Sequence, residues 1–178
     1  MSKVVILVGS PRKGGNTEAL AKAFAEGAST HHKVEILNVA NLNVAPCIGC
    51  NTCFTREGNT CFRHDDMDKV YAALATADIL VIASPVYFYG ISSQLKAVID
   101  RLHTPLRNTF HIKQACIMLC GAANLPELFD AILKQYELAL KFFNIEDLGH
   151  VLARSVKEKG DVLGTPAIAE AKKLGEAI

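Results

Sequence analysis

Short uninterrupted apolar runs alternate along this chain with stretches in which apolar residues recur every three or four positions. Val4-Val5-Ile6-Leu7-Val8, Lys33 to Val39, Ile79 to Ala83, Gln114 to Gly121 and Ile145 to Ala153 read as strands. Residues 16–28, with Leu20, Ala23, Phe24 and Gly27 on one face, read as a helix, as do Met67 to Thr76 and the stretch carrying Leu95, Val98, Ile99 and Leu102. A helix from about Pro126 to Phe143 follows. The last helix has Thr165 as its expected N-cap and Pro166 as its first helical residue. This alternation predicts an α/β fold, a parallel sheet covered on both faces. Five strands suggest the three-layer doubly wound order 2-1-3-4-5, whose ligands bind outside the carboxyl ends of strands one and three.

Unusual loops sit at both of those ends. The first, Gly9-Ser10-Pro11-Arg12-Lys13-Gly14-Gly15-Asn16-Thr17, joins a buried strand to a helix and reads as an anion-binding turn. Glycines permit the turn, free N–H groups at the helix start suit a phosphate, and Ser10, Arg12, Asn16 and Thr17 add donors and charge. It is not a P-loop, because no lysine separates Gly14-Gly15 from Asn16-Thr17. Nor is it G-x-G-x-x-G, because Ser10 and Pro11 follow Gly9. A mononucleotide is the better match. The second loop, Ser84-Pro85-Val86-Tyr87-Phe88-Tyr89-Gly90, offers backbone amides for a ring's polar edge and aromatic cover for its face. A weaker third contact is Gly121, just after strand four, which serves equally as a strand-ending turn.

A length of 178 residues fits one domain over 1–178, and 50% hydrophobic content supplies its core. Nineteen Lys and Arg against 18 Asp and Glu give a net charge of +1, no field for nucleic acid or an anionic membrane. The longest apolar runs fall far short of the ~20 residues that cross a bilayer. No leader pattern precedes the first strand, so a cytoplasmic location is expected.

These loops, together with Gln94-Leu95-Lys96-Ala97-Val98-Ile99-Asp100-Arg101, resemble the NAD(P)H-dependent FMN reductase branch of the flavodoxin-like proteins over about residues 3 to 150. The resemblance implies that Ser10, Arg12, Asn16 and Thr17 hold the FMN phosphate. It also implies that Pro85, Val86, Tyr87, Phe88, Tyr89 and Gly90 lie along the isoalloxazine ring. It further implies NAD(P)H as electron donor and a homodimer or homotetramer, since in the family a neighbouring subunit commonly finishes the ring site. Hydride and electron transfer then belong to the flavin, and no side chain is needed as acid or base. His64, His103 and His111 fit exposed or capping roles. Arg12 or Arg107 would be the cation for a 2′-phosphate, with a solvated surface role the simpler reading.

Between about 45 and 64 lies a cysteine-rich insertion, Cys47-x2-Cys50-x2-Cys53-x7-Cys61. Such spacing points to a metal centre, a redox disulfide or a zinc site. Two-residue gaps favour an iron–sulfur cluster over zinc, whose knuckles are more widely paired, although the last gap departs from the ferredoxin spacing. The arrangement resembles that of the iron–sulfur flavoproteins of anaerobes, which implies a [4Fe-4S] cluster on Cys47, Cys50, Cys53 and Cys61 beside FMN. Related reductases carry similar loops without a cluster, so unmetallated or redox-active thiols stay open. Cys116 and Cys120 lie on an apolar strand and fit ordinary burial.

Two functions follow. One is an FMN-dependent oxidoreductase that uses NAD(P)H to reduce flavin, a quinone or another small acceptor. The other is an electron carrier between redox proteins through cluster and FMN. The near-zero net charge favours the first, because dedicated flavodoxin carriers are usually strongly acidic; the clustered cysteines favour the second. A flavin-binding regulator has no positive signal beyond the fold.

Overall fold

The computed structural model describes residues Met1 to Ile178. β1 (Lys3–Val8) leads through the first loop into α1 (Asn16–Ala28) and β2 (Lys33–Asn38). A short helix, α2 (Thr52–Thr55), lies inside the cysteine-rich segment and is followed by α3 (Met67–Leu74), β3 (Ile79–Pro85) and α4 (Ser93–Asp100). The chain ends with β4 (Gln114–Cys120), α5 (Asp130–Phe143), β5 (Glu146–Ala153) and α6 (Ala167–Glu176). All strand pairs are parallel, in the expected order β2-β1-β3-β4-β5.

Strand alternation sorts the apolar runs onto two cores. Val4, Ile6 and Val8 of β1, with Cys116, Met118 and Cys120 of β4, face α1 and α6. Val5 and Leu7, with Ala115, Ile117 and Leu119, face α3, α4 and α5. No residue between 45 and 64 belongs to either core. Helices α1 and α6 cross with their backbones in close contact at Gly27 and Gly175, where an added Cβ on either would stand 2.2 Å from a carbonyl oxygen of the other helix.

Several boundaries differ from the sequence reading. β2 stops at Asn38, whose side chain accepts from the Ala40 N–H and starts a 3-10 turn. β3 runs on to Pro85, because Val86 continues the ladder by donating to the Cys120 carbonyl at 2.8 Å. Thr165 does not cap the last helix: its hydroxyl donates back to the Val162 carbonyl, and Pro166 holds the cap position in a helical conformation.

Beneath the two loops, Gly9 fits only as glycine, since its Cβ would meet Leu95 Cβ at 2.7 Å and Ser92 Oγ at 2.8 Å. Ser92 itself is buried, caps α4 through the Leu95 N–H, and donates its own N–H to Ser84 Oγ. Ser92→Ala is therefore expected to lower stability by about 1 kcal/mol in a urea titration, with the slope of the transition unchanged.

Candidate functional site

The carboxyl ends of β1, β3 and β4 open onto a cleft of about 200 Å³. Ser10, Arg12, Asn16 and Thr17 line one side, Pro85, Val86 and Tyr87 the other, with Cys120 and Ala122 between them. Val156 and Lys157, from the segment after β5, complete it and carried no signal in the sequence. On the first side the chain turns at Gly14, whose φ of +65° favours glycine. The N–H groups of Asn16, Thr17 and Glu18, at the start of α1, have no protein acceptor. Glu18 takes the Gly14 N–H at 2.6 Å, and Lys22, 2.6 Å from its other oxygen, balances that charge. The hydrogen bonds from Lys22 and then from Gly14 hold the Glu18 carboxyl below its ordinary pKa.

The predicted phosphate residues also have structural partners: Ser10 Oγ accepts the Arg12 N–H at 3.3 Å, and Thr17 hydrogen-bonds Cys120. Asn16 ties down the loop after β5: its Nδ2 donates to the Glu158 carbonyl at 2.9 Å, and its Oδ1 accepts from Gly160 and Val162 N–H. Arg12 donates through Nη1 to the Lys157 carbonyl at 3.0 Å. One amide N–H of Asn16 and the rest of the Arg12 guanidinium remain for a ligand. The Cys120 thiol, beside Thr17, is pushed up to about 12 by burial and stays protonated.

The remaining predicted contacts fall outside the cleft lining. Tyr87 and Gly90 exchange backbone hydrogen bonds at 2.9 and 3.1 Å, which closes a turn with Phe88 at φ +47° and Tyr89 at φ +62°. Two consecutive aromatic residues in the left-handed region cost roughly 1–2 kcal/mol each. Strain of this kind concentrates at functional sites. The Phe88 ring at the tip is 98% exposed. Gly121 packs against Leu128, whose Cδ2 would lie 2.5 Å from an added Cβ. Arg107 sits elsewhere too, donating to the Thr104 carbonyl and covering the Phe142 ring at 5.2 Å. It lines an apolar cavity of about 120 Å³ under α5.

A second cavity, of about 100 Å³, is ringed by Cys47, Cys50, Cys53 and Cys61 together with Tyr71, Arg101, His103 and Thr104. All four thiols are free. Thr52 hydrogen-bonds Cys50 Sγ through its hydroxyl at 3.3 Å, and this bond, then the Thr52 N–H, holds the Cys50 thiol below its ordinary pKa. At the base of the segment Arg101 Nη1 bridges the Ala45 carbonyl at 3.2 Å and Asp65 Oδ2 at 2.6 Å. Burial alone would raise the Asp65 pKa, but Arg101 and the N–H groups of Ala45 and Met67 hold it below the usual carboxylate range. Tyr71, its phenol pushed up to about 12 by burial, donates to the Arg101 carbonyl at 2.8 Å. His103 packs its ring between Phe54 and Phe142, while His64 and His111 are exposed.

Residues 2–159 match the family of NADPH-dependent FMN reductases. The chain belongs to this family. An iron-sulfur flavoprotein of Archaeoglobus fulgidus is 35% identical over 182 residues, covering 99% of this chain and 78% of that relative. One from Methanocaldococcus jannaschii is 40% identical over 116 residues, which take in 62% of this chain but only 56% of the relative's length. A Bacillus subtilis protein assigned as an NAD(P)H-dependent FMN-containing oxidoreductase is 27% identical over 173 residues, 90% of this chain and 89% of that one. In fold alone, an NAD(P)H:quinone oxidoreductase from Methanothermobacter marburgensis superposes with a TM-score of 0.79 over 98% of this chain and 96% of that one, at 16% identity.

For a member of the FMN reductase family, the cleft's donor set suits FMN. Unpartnered N–H groups at the start of α1, next to Arg12 and Lys157, match a phosphate, and Pro85 to Tyr87 face them with apolar and backbone surface. Cys47, Cys50, Cys53 and Cys61 line one cavity, and four thiolates are the donor set that a four-iron cluster takes.

Proposed function

We propose that this chain is an FMN-dependent oxidoreductase that takes electrons from NAD(P)H and delivers them to a flavin, a quinone or another small acceptor. The observation that carries this reading is the cleft between the start of α1 and Pro85-Val86-Tyr87, where unpartnered N–H groups lie across from those three residues. Bound there, FMN supplies hydride acceptance and one- or two-electron transfer. The chain's own part is positional. Ser10, Arg12, Asn16 and Thr17 fix the phosphate end. Pro85 to Gly90 orient the ring, with the aromatic turn at its outer margin. The high thiol pKa of Cys120 leaves the floor of the cleft uncharged. A homodimer or homotetramer belongs to this reading, supported by an exposed Phe88 on a strained turn that a second copy would cover.

A second reading, favoured by one further observation, makes the chain an iron–sulfur flavoprotein carrying electrons between redox proteins. Cys47, Cys50, Cys53 and Cys61 line one cavity, and relatives at 35–40% identity bear that name. The experiment is the visible spectrum of protein purified without oxygen, with iron, sulfide and released flavin quantified on the same sample before and after NADH or NADPH. Stoichiometric FMN bleached by either nucleotide is the expected result; a protein that neither retains nor rebinds FMN would overturn the first reading. About four irons and four sulfides per chain would add the second.

A further inference from the structure

Arg101 is 4% exposed, and its guanidinium is only partly used. Nη1 donates to Ala45 and Asp65, as described, whereas Nε and Nη2 are buried without any hydrogen-bond partner. A guanidinium does not deprotonate in proteins, so these N–H groups carry positive charge into a place where nothing accepts them. Leaving buried donors unpaired is costly, and more so when they are charged. A residue needed only to clasp Asp65 would not require them.

Arg101 also lines the cavity ringed by the four cysteines, with Cys61 near enough to act on its charge. The one carboxylate in its lining, Asp100, is paired with Lys96. The unmet requirement of Arg101 is therefore for an anionic acceptor inside the ring. Four thiolates on a four-iron cluster meet it, since such a group is net negative and its sulfurs accept N–H donors.

The geometry points to Arg101 as the residue that stabilises the group held by Cys47, Cys50, Cys53 and Cys61, its Nε–H and Nη2–H donating to sulfur and raising the potential at which the cluster accepts an electron. This rests on the cluster reading above. The sign follows from charge: one-electron reduction adds a negative charge to the cluster, and a fixed cation with N–H···S contacts favours the more negative state. Arg101 is a positioning and tuning residue. It takes up neither electron nor proton.

The test uses the full-length chain, reconstituted anaerobically with ferrous iron and sulfide, and follows the cluster's midpoint by a mediated redox titration monitored by electron paramagnetic resonance. Two variants accompany the native protein. Arg101→Lys keeps a cation for Asp65 but lacks the Nε and Nη2 donors. Asp65→Asn/Arg101→Leu removes both members of the pair, so that no buried charge is stranded. At a fixed potential the ratio of reduced to oxidised cluster is expected to fall at least tenfold in the double variant, a midpoint lowered by about 59 mV for one electron, with Arg101→Lys between. If the double variant does not fold, as judged by circular dichroism and FMN content, Arg101→Lys alone decides. Equal midpoints in native and variant proteins would reduce Arg101 to a clasp and leave the cluster reading standing. A native chain that takes up no iron and sulfide would overturn both.

Discussion

Gly27→Ala is expected to destabilise the protein by about 3 kcal/mol, although alanine is the better helix former. An ordinary glycine-to-alanine change inside a helix gains about 1 kcal/mol, so the sign of the effect is itself the test. The reason lies in the α1–α6 crossing. A Cβ on Gly27 would stand 2.2 Å from the Lys172 carbonyl oxygen and 3.0 Å from the Glu176 nitrogen. Gly175 answers in kind, its Cβ position lying 2.2 Å from the Phe24 carbonyl and 3.0 Å from the Ala28 nitrogen. These are backbone atoms of two helices, so relief requires the helices to separate rather than a side chain to turn. Urea titration should show a lower midpoint at unchanged slope, and Gly175→Ala should behave alike. A stabilised Gly27→Ala variant would mean that the helices do not approach this closely.

Arg12→Ala/Asn16→Ala is expected to weaken FMN binding about 100-fold, roughly the 2–3 kcal/mol of a charge-assisted contact and its supporting hydrogen bonds. The two residues act through one piece of structure. Asn16 holds the Glu158, Gly160 and Val162 backbone, and Arg12 holds the Lys157 carbonyl, so the variant loses direct phosphate donors and releases the cleft's far wall. Titration of apoprotein with FMN, read by quenching of flavin fluorescence, measures the effect. Added salt should narrow the difference between native and variant, because part of it is charge. Equal affinity in the two proteins would remove the phosphate from this loop.

The strand order was legible because each apolar run is bounded by turn residues and followed by a helical period; β1 and β4 could be read to within about one residue. Half of the cleft was equally legible. Ser10, Arg12, Asn16 and Thr17 lie in one stretch, and Pro85 to Tyr87 in another, at the two strand ends that the doubly wound order brings together. Val156 and Lys157 were not, because their segment is held at the cleft by tertiary hydrogen bonds, from Arg12 to the Lys157 carbonyl and from Asn16 to the Glu158 carbonyl, that no local pattern encodes. Gly121 lies outside the cleft lining, and the Leu128 side chain that packs against it is not written in the strand itself. Gly27 was readable as a buried helix position, but not as a required glycine, since the reason lies in Gly175 near the far end of the chain. Arg101 likewise stood in a recognisable run, while its unused N–H groups became visible only with the cavity around them.

The cysteine-bearing segment, residues 45–64, contributes to neither apolar core and is fastened at its base by Arg101, with Ala45 and Asp65 at its two ends. Its architecture is that of an exchangeable cartridge on a finished chassis. The sheet and both helix layers close without it, so its sequence is free to drift, lengthen or lose its thiols at little thermodynamic cost to the rest. Selection can therefore rewrite the chemistry of this segment while the cleft at the strand ends keeps its form. Members of one family can in this way bear either a flavin-only or an iron–sulfur name on the same frame.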